Sequence, residues 1–172
     1  MTRSPDKASQ VAALGAERVV CDVFDPAALT EAMAAFQPDV VIHQLTDLPE
    51  RAEDIPSFSE RNARIRGEGT SNLLAAGAAA GAGRVIAQSI SWEQAAERGR
   101  LATAELECTV LRAGGVVIRY GQFWHPGTFY EDAPPTPPRI HVDAAARQTL
   151  PALAAPPGVT LVADDRAAPQ AG

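Results

Sequence analysis

Ser89 closes the apolar run Arg84-Val85-Ile86-Ala87-Gln88-Ser89 and is the hydroxyl these residues single out for chemistry. A serine at a strand end can hydrogen-bond a substrate carbonyl or alcohol; it can equally cap the strand. It lacks the G-x-S-x-G turn that projects a hydrolase nucleophile, which disfavours a serine hydrolase. His43, His125 and His141 are scattered without ligand spacing, so no metal site is expected. Cys21 and Cys108 have no C-x-x-C spacing and read as two buried thiols of a reducing compartment. Gly77, Gly81 and Gly83 repeat the G-x-x-x-G-x-G spacing of a pyrophosphate loop. That loop needs a strand before it and a helix after it, so that helix N–H groups face the phosphate. Here the order is reversed, and the string reads as a helix end turning into a strand.

The elements that position these residues alternate. Arg18 to Val23 is strand-like, and Pro26 to Phe36 is a helix with Asp25 as N-cap and proline first. Asp39 to Gln44 is nearly uniformly apolar, as for a strand covered on both faces. A loop from Leu48 to Ser57 leads to a long helix, Ser59 to Ala80. Strand Arg84 to Ser89, helix Glu93 to Arg112 and strand Gly115 to Arg119 follow. Pro134 to Pro138 is an extended connector, Asp143 to Leu153 a short helix, and Val159 to Ala163 a last strand. This alternation predicts α/β architecture: a Rossmann-like parallel sheet with flanking helices. The expected domain is 1–163, with 164–172 a frayed tail.

With 172 residues, 46% apolar and 21% charged, the chain has the composition of a soluble globular domain. Its formal net charge of -6 argues against nucleic acid or an anionic membrane as partner. No apolar run spans a bilayer and the first residues are polar, so a cytoplasmic location is expected. One lysine stands against fourteen arginines, and alanine is abundant; the bias resembles high-GC bacterial coding.

An ordered series of segments resembles the extended short-chain dehydrogenases, the NAD(P)-dependent epimerase/dehydratase family. They are Thr2 to Pro5, Cys21 to Asp25, Asp39 to Leu48 (DVVIHQLTDL) and Asn62 to Leu74 (NARIRGEGTSNLL). Arg84 to Trp92 (RVIAQSISW), Val116 to Gly127 (VVIRYGQFWHPG) and Ile140 to Ala145 (IHVDAA) complete the series. The resemblance implies that Arg3 and Ser4 sit where the adenosine ribose is read. An arginine there suits a 2'-phosphate and so NADP, with NAD the alternative cofactor; it is also an ordinary surface residue. Asp22 and Val23 match a pair beside the adenine, or a loop cap. Gln44, Leu45 and Thr46 match a segment lining the cofactor, whereas His43 is read as packed in the strand. Asn62 matches an asparagine that begins the long helix, and Gly69-Thr70 a pair that lets this helix lie close to the sheet. Ser89 matches the catalytic serine. Trp92, Tyr120, Gln122 and Phe123 fall on the substrate side, with substrate-domain elements reduced to about 124–145. A small-molecule substrate is implied, and a homodimer is the expected protein partner.

The chain departs from that pattern in two places. The family pairs a tyrosine after the serine strand with a lysine one helical turn on, the lysine lowering the phenol's pKa for acid/base work. Lys7 is the last lysine here, and neither Tyr120 nor Tyr130 is followed four residues later by one. Met1 also aligns with the end of the family's second strand, so the first strand and glycine loop have no counterpart. Strand 18–23 is then expected to pair directly with 39–44 or to leave apolar edges exposed. The resulting reading is an N-terminally truncated oxidoreductase or epimerase relative, impaired or inactive as this chain. A non-catalytic nucleotide-binding or interaction module is the alternative.

Overall fold

The structure is a computed structural model and describes residues 1–164. Four of the apolar runs form one parallel sheet: β1 (Val40–His43), β2 (Arg84–Ile90), β3 (Val116–Tyr120) and β6 (Gly158–Val162), in the order β1-β2-β3-β6. Parallel strands need crossovers, and helices supply them. Between β1 and β2 runs a continuous helical stretch, α3 (Ile55–Arg64), a π-turn (Ile65–Gly69) and α4 (Thr70–Ala79). Between β2 and β3 lies α5 (Glu97–Arg112), and ahead of β1 lie α1 (Pro5–Ala13) and α2 (Pro26–Phe36).

Period-two alternation sorts the side chains of β2 and β3 onto two faces. Ala87 and Val117 pack with Leu106 and Val110 of α5. Ile86, Val116, Ile118 and Tyr120 pack on the other face with Ala145 and Ala152, from α6 (Val142–Thr149) and the 3-10 turn Leu150–Leu153 that follows it. A third cluster gathers Val23, Leu29, Val41, Ile65 and Leu73 under α2 and α4. Helices therefore cover both faces of the central strands β2 and β3, which is why these are largely apolar.

Asp25 caps α2 as expected, its carboxylate accepting from the Ala28 N–H at 3.0 Å with Pro26 at the first helical position. Asp25→Ala is expected to cost about 1 kcal/mol of stability, read from the urea midpoint. The string from Gly77 to Gly83 is a helix end: Gly81 takes φ +80° and the chain passes into β2.

Several expected bounds are corrected. Segment 18–23 makes only one parallel bridge, Val20 to Thr2, and does not join β1. Among the described residues β1 is paired by β2 alone, and Ile42 (47% exposed) and Val20 (51%) show apolar surface to solvent. The second of the two expected outcomes is the one found. Asn62 lies inside α3 rather than at a helix start, because α3 already begins at Ile55. Helix α5 starts at Glu97, not Glu93; residues 91–96 form a loop over the end of β2. Cys21 is buried but Cys108 is exposed. A two-stranded parallel sheet of β4 (Gln122–Trp124) and β5 (Arg139–His141) was not foreseen. Asp164 is bridged to Arg139 through two backbone bonds, so it belongs to the fold; the rest of the expected tail, 165–172, lies outside the described residues. No described helix is long and apolar enough to cross a membrane.

Candidate functional site

Ser89 of β2 stands in register with Arg119 of β3, and both point at α5. There Glu107 receives them together. The Ser89 hydroxyl donates to Glu107 Oε1 at 2.5 Å, and Arg119 donates from Nε to Oε1 at 2.9 Å and from Nη2 to Oε2 at 2.6 Å. Burial pushes the Glu107 carboxyl up, but the hydrogen bonds from Arg119 and Ser89 outweigh it and hold the group below the ordinary carboxylate range. Arg119 is correspondingly raised, chiefly by its hydrogen bond to Glu107. Ser89 is only 1% exposed, with its proton committed to a carboxylate. It is an anchor between strand and helix here.

Two residues on, Ser91 lies past the end of β2. Its Oγ is buried without a hydrogen-bond partner among the described residues. It borders a cavity of about 260 Å³ whose lining includes Trp92, Arg100, Thr103, Glu107 and Arg119. Helix α5 brings Gly99, Thr103 and Glu107 toward this space on successive turns. Gln94 folds over the first two, donating from Nε2 to the Gly99 carbonyl at 2.9 Å and to Thr103 Oγ1 at 2.6 Å. A Cβ on Gly99 would lie 2.5 Å from Gln94 Oε1, so a larger residue there would displace the Gln94 amide from this arrangement. Arg66, from the π-turn, also donates to Thr103 Oγ1, and burial lowers its pKa against the opposing pull of Glu107.

The other candidates line the same carboxyl edge of the sheet. His43 is aligned with Ala87, so Gln44 lies one step along that edge, beside the approach to Ser89. Gln44 and Thr46 are exposed, and Leu45 packs in the cluster that contains Val23. Val23 is buried, its carbonyl taken by Asn72 Nδ2 at 3.0 Å, while Asp22 caps a turn through the Phe24 N–H at 3.0 Å. Ser4 precedes α1 without a side-chain cap bond. Asp47 gathers the basic residues: Arg3 Nη2 and Arg61 Nη2 each lie 3.0 Å from its Oδ1, and the Asp47 N–H donates to Asn62 Oδ1 at 3.1 Å. His43 is 2% exposed; its Nδ1 accepts from the Leu45 N–H at 3.2 Å, which leaves Nε2–H to donate to Thr70 Oγ1 at 2.9 Å. The histidine is packed in the strand, as expected.

The sequence model of the NAD-dependent epimerase/dehydratase family matches residues 1–100. The chain belongs to that family. A curated relative, a 3-diazoavenalumate denitrifying reductase of a Streptomyces species, is 38% identical over 135 residues, covering 65% of this chain and 44% of the relative. The chain thus spans under half the length of that protein. Among solved structures, Pal from Bacillus thuringiensis superposes with a TM-score of 0.73 at 13% identity, covering 95% of this chain and 67% of its own. UDP-glucose 4-epimerase from Thermus thermophilus, solved with NAD, gives 0.65 at 17% identity, with 87% and 64% covered. DesIV, a dTDP-glucose 4,6-dehydratase from Streptomyces venezuelae, gives 0.69 at 15% identity, with 94% and 63% covered. At these identities the structures establish the fold, a Rossmann-like parallel sheet.

Against the epimerase/dehydratase pattern, the face of α5 that meets the serine strand is informative. Gly99 and Thr103 lie there with the four-residue spacing of the family's tyrosine and lysine, and Gln94 bonds to both. Of the substrate-side candidates only Trp92, 37% exposed, reaches the cavity. Tyr120 follows Arg119 and therefore points to the opposite face. It is 3% exposed, its hydroxyl 2.5 Å from Thr149 Oγ1 and its ring packed on Phe123. Gln122 is engaged by Tyr130 Oη at 2.8 Å and the Thr136 carbonyl at 3.1 Å. Tyr120 and Phe123 thus pack on the β4–β5 side of the core, with Gln122 at its surface. Sequence reading missed Ser91, Glu107, Arg100 and Arg66. Only Ser91 carried a signal: it lies two residues beyond Ser89, on the same face by strand alternation.

Proposed function

We propose that this chain contributes to an NAD(P)H-linked reductase that acts on a small electrophilic acid, with NADPH the preferred donor. The observation that carries this reading is Gly99 and Thr103 in place of a proton-transfer pair. Oxidising an alcohol, as sugar epimerisation or dehydration begins, leaves an O–H proton that a base must remove. Among the described residues no phenol or amine lines this cavity. A bound nicotinamide would supply a hydride. Replacing a diazo nitrogen by hydride breaks the C–N bond with both electrons leaving on nitrogen, and takes no proton from the substrate. The relative whose name describes denitrifying reduction of a diazo acid fits that requirement.

The residues support this assignment. Among the described residues the Ser91 hydroxyl has no partner, so it can donate to an incoming acceptor. The exposed Trp92 ring offers a flat apolar face. Among the described residues Arg100 donates to the Gln94 and Ala95 carbonyls, at 3.0 and 2.8 Å, and pairs with no carboxylate, so its charge suits a substrate carboxylate. Glu93 at the rim is exposed. For the dinucleotide, segment 44–46 offers an open strand end, and two arginines on one Asp47 leave an excess positive charge suited to a 2'-phosphate. Among the described residues no strand–glycine–helix turn stands ready for the pyrophosphate.

Fluorescence titration with NADPH and NADH tests the reading. NADPH is expected to bind about tenfold tighter, the worth of one charge-assisted contact, and Arg3→Ala is expected to abolish the difference. Equal binding of the two cofactors would remove the NADP assignment. NADPH consumption with an aryl diazonium acid, and none with a nucleotide sugar, is the expected turnover. Binding without turnover of either would favour the non-catalytic module.

A further inference from the structure

The β4–β5 pairing brings together histidines that lie far apart in sequence. Trp124 is in register with His141, and His125 follows directly, so the two imidazoles meet at the same sheet end. Their ring centroids are 5.0 Å apart at an interplanar angle of 87°, and Trp124 stands edge-on to His141 at 4.6 Å, walling one side. Asp143, in the first turn of α6, places Oδ2 3.8 Å from His141 Nδ1. One ligand atom from each of His125, His141 and Asp143 lies within 4.8 Å of the others.

We propose that His125, His141 and Asp143 form a binding site for a divalent transition metal, zinc or nickel in class. The donor set decides the class: two imidazoles and a carboxylate favour these ions over magnesium and calcium, which prefer all-oxygen sites. His125 is already oriented for it. Its Nδ1 lies 2.8 Å from the Pro126 carbonyl and donates to it, so Nε2 presents its lone pair, the outer-sphere arrangement usual for metal-bound histidine. His141 Nδ1 accepts from the Asp143 N–H at 3.2 Å, so its lone pair is directed toward Asp143. A metal takes over that lone pair, and the freed N–H lies at an exposed helix start where water can replace the bond. Ligand atoms about 2.0–2.2 Å from a tetrahedral zinc are roughly 3.4 Å apart, so side-chain rotation of about an ångström closes the site. Three protein ligands leave the fourth position to water. The site is separate from the Ser91 cavity, being on the β4–β5 side rather than the α5 side, and would pin the His125 turn to the start of α6.

The test is calorimetric titration of the tag-free chain with zinc chloride, repeated with magnesium chloride, alongside cobalt(II) absorption. One zinc per chain is expected, with a tetrahedral cobalt spectrum and no magnesium heat. His125→Gln and His141→Asn are each expected to weaken zinc binding at least thirtyfold. His141→Asn keeps a helix-capping side chain, and circular dichroism checks that both variants fold. Absence of zinc binding to the unmodified chain overturns the proposal. So does undiminished binding by the folded variants, which would put the ion elsewhere.

Discussion

Replacing Glu107 by alanine is expected to lower the unfolding free energy by about 3 kcal/mol, measured from urea transitions at neutral pH. The carboxylate receives three hydrogen bonds, two from Arg119 and one from Ser89, and is only 8% exposed. Removing it leaves the buried Ser89 hydroxyl without an acceptor and a guanidinium against the sheet. The Arg119 side chain is 46% exposed, so water recovers part of its loss, and the expectation is set at the low end for a broken buried pair. Glutamine recovers little: its amide N–H group would face the Arg119 donors. The pH dependence follows the depressed carboxyl. The contribution is complete above the unfolded value near 4.5 and is lost as pH falls through the lower folded value. A double-mutant cycle with Arg119→Ala should return a coupling above about 1 kcal/mol. Additive single losses would show that strand and helix are held together by packing alone.

This pair also marks the limit of what the sequence could disclose. The central strands β2 and β3 were legible because helices cover both their faces, and β1 and β6 because they are short apolar runs, although Ile42, Val159 and Leu161 face solvent. Asp25-Pro26 gave the start of α2 for the same kind of local reason. Segment 18–23 has strand composition too, but a ladder needs a neighbour along its length, and its one bridge goes to Thr2. The start of α5 was placed early because Glu93 to Ala96 are good helix formers, whereas tertiary packing makes them the cavity's roof. Ser89 looked like the reactive hydroxyl because it ends the run. The run could not disclose its partner Glu107, eighteen residues away in sequence and facing it only after α5 folds back. Tyr120 was misplaced by a single step of strand alternation. His125 and His141 met through β4 and β5, strands too short to announce themselves by periodicity.

Lowering the pH from 7 to 5 is expected to remove about 2 kcal/mol of stability through His43 alone. Burial, reinforced by the nearby Arg66 guanidinium, lowers this histidine from 6.5 to about 4. In the fold it is neutral, donating to Thr70 and accepting from the Leu45 N–H. A proton on Nδ1 would break the second bond and set a second charge near Arg66, whose own pKa burial already lowers. Between 6.5 and about 4 the unfolded chain therefore binds a proton that the native chain refuses. Stability is intact above the upper value and declines until the folded histidine titrates. Urea midpoints at half-unit intervals of pH give the slope directly. His43→Leu should be less stable at neutral pH, because Thr70 and the Leu45 N–H lose a partner, yet its midpoint should change less between pH 7 and 5. An unchanged slope in that variant would assign the acid sensitivity to other groups and leave His43 protonated without penalty. The measurement also probes the candidate site, since Arg66 links this histidine to Thr103 and Glu107. A charge taken up at the end of β1 should loosen the roof over Ser91 before the sheet itself unfolds, and hydrogen exchange at Gln94 and Thr103 would report it first.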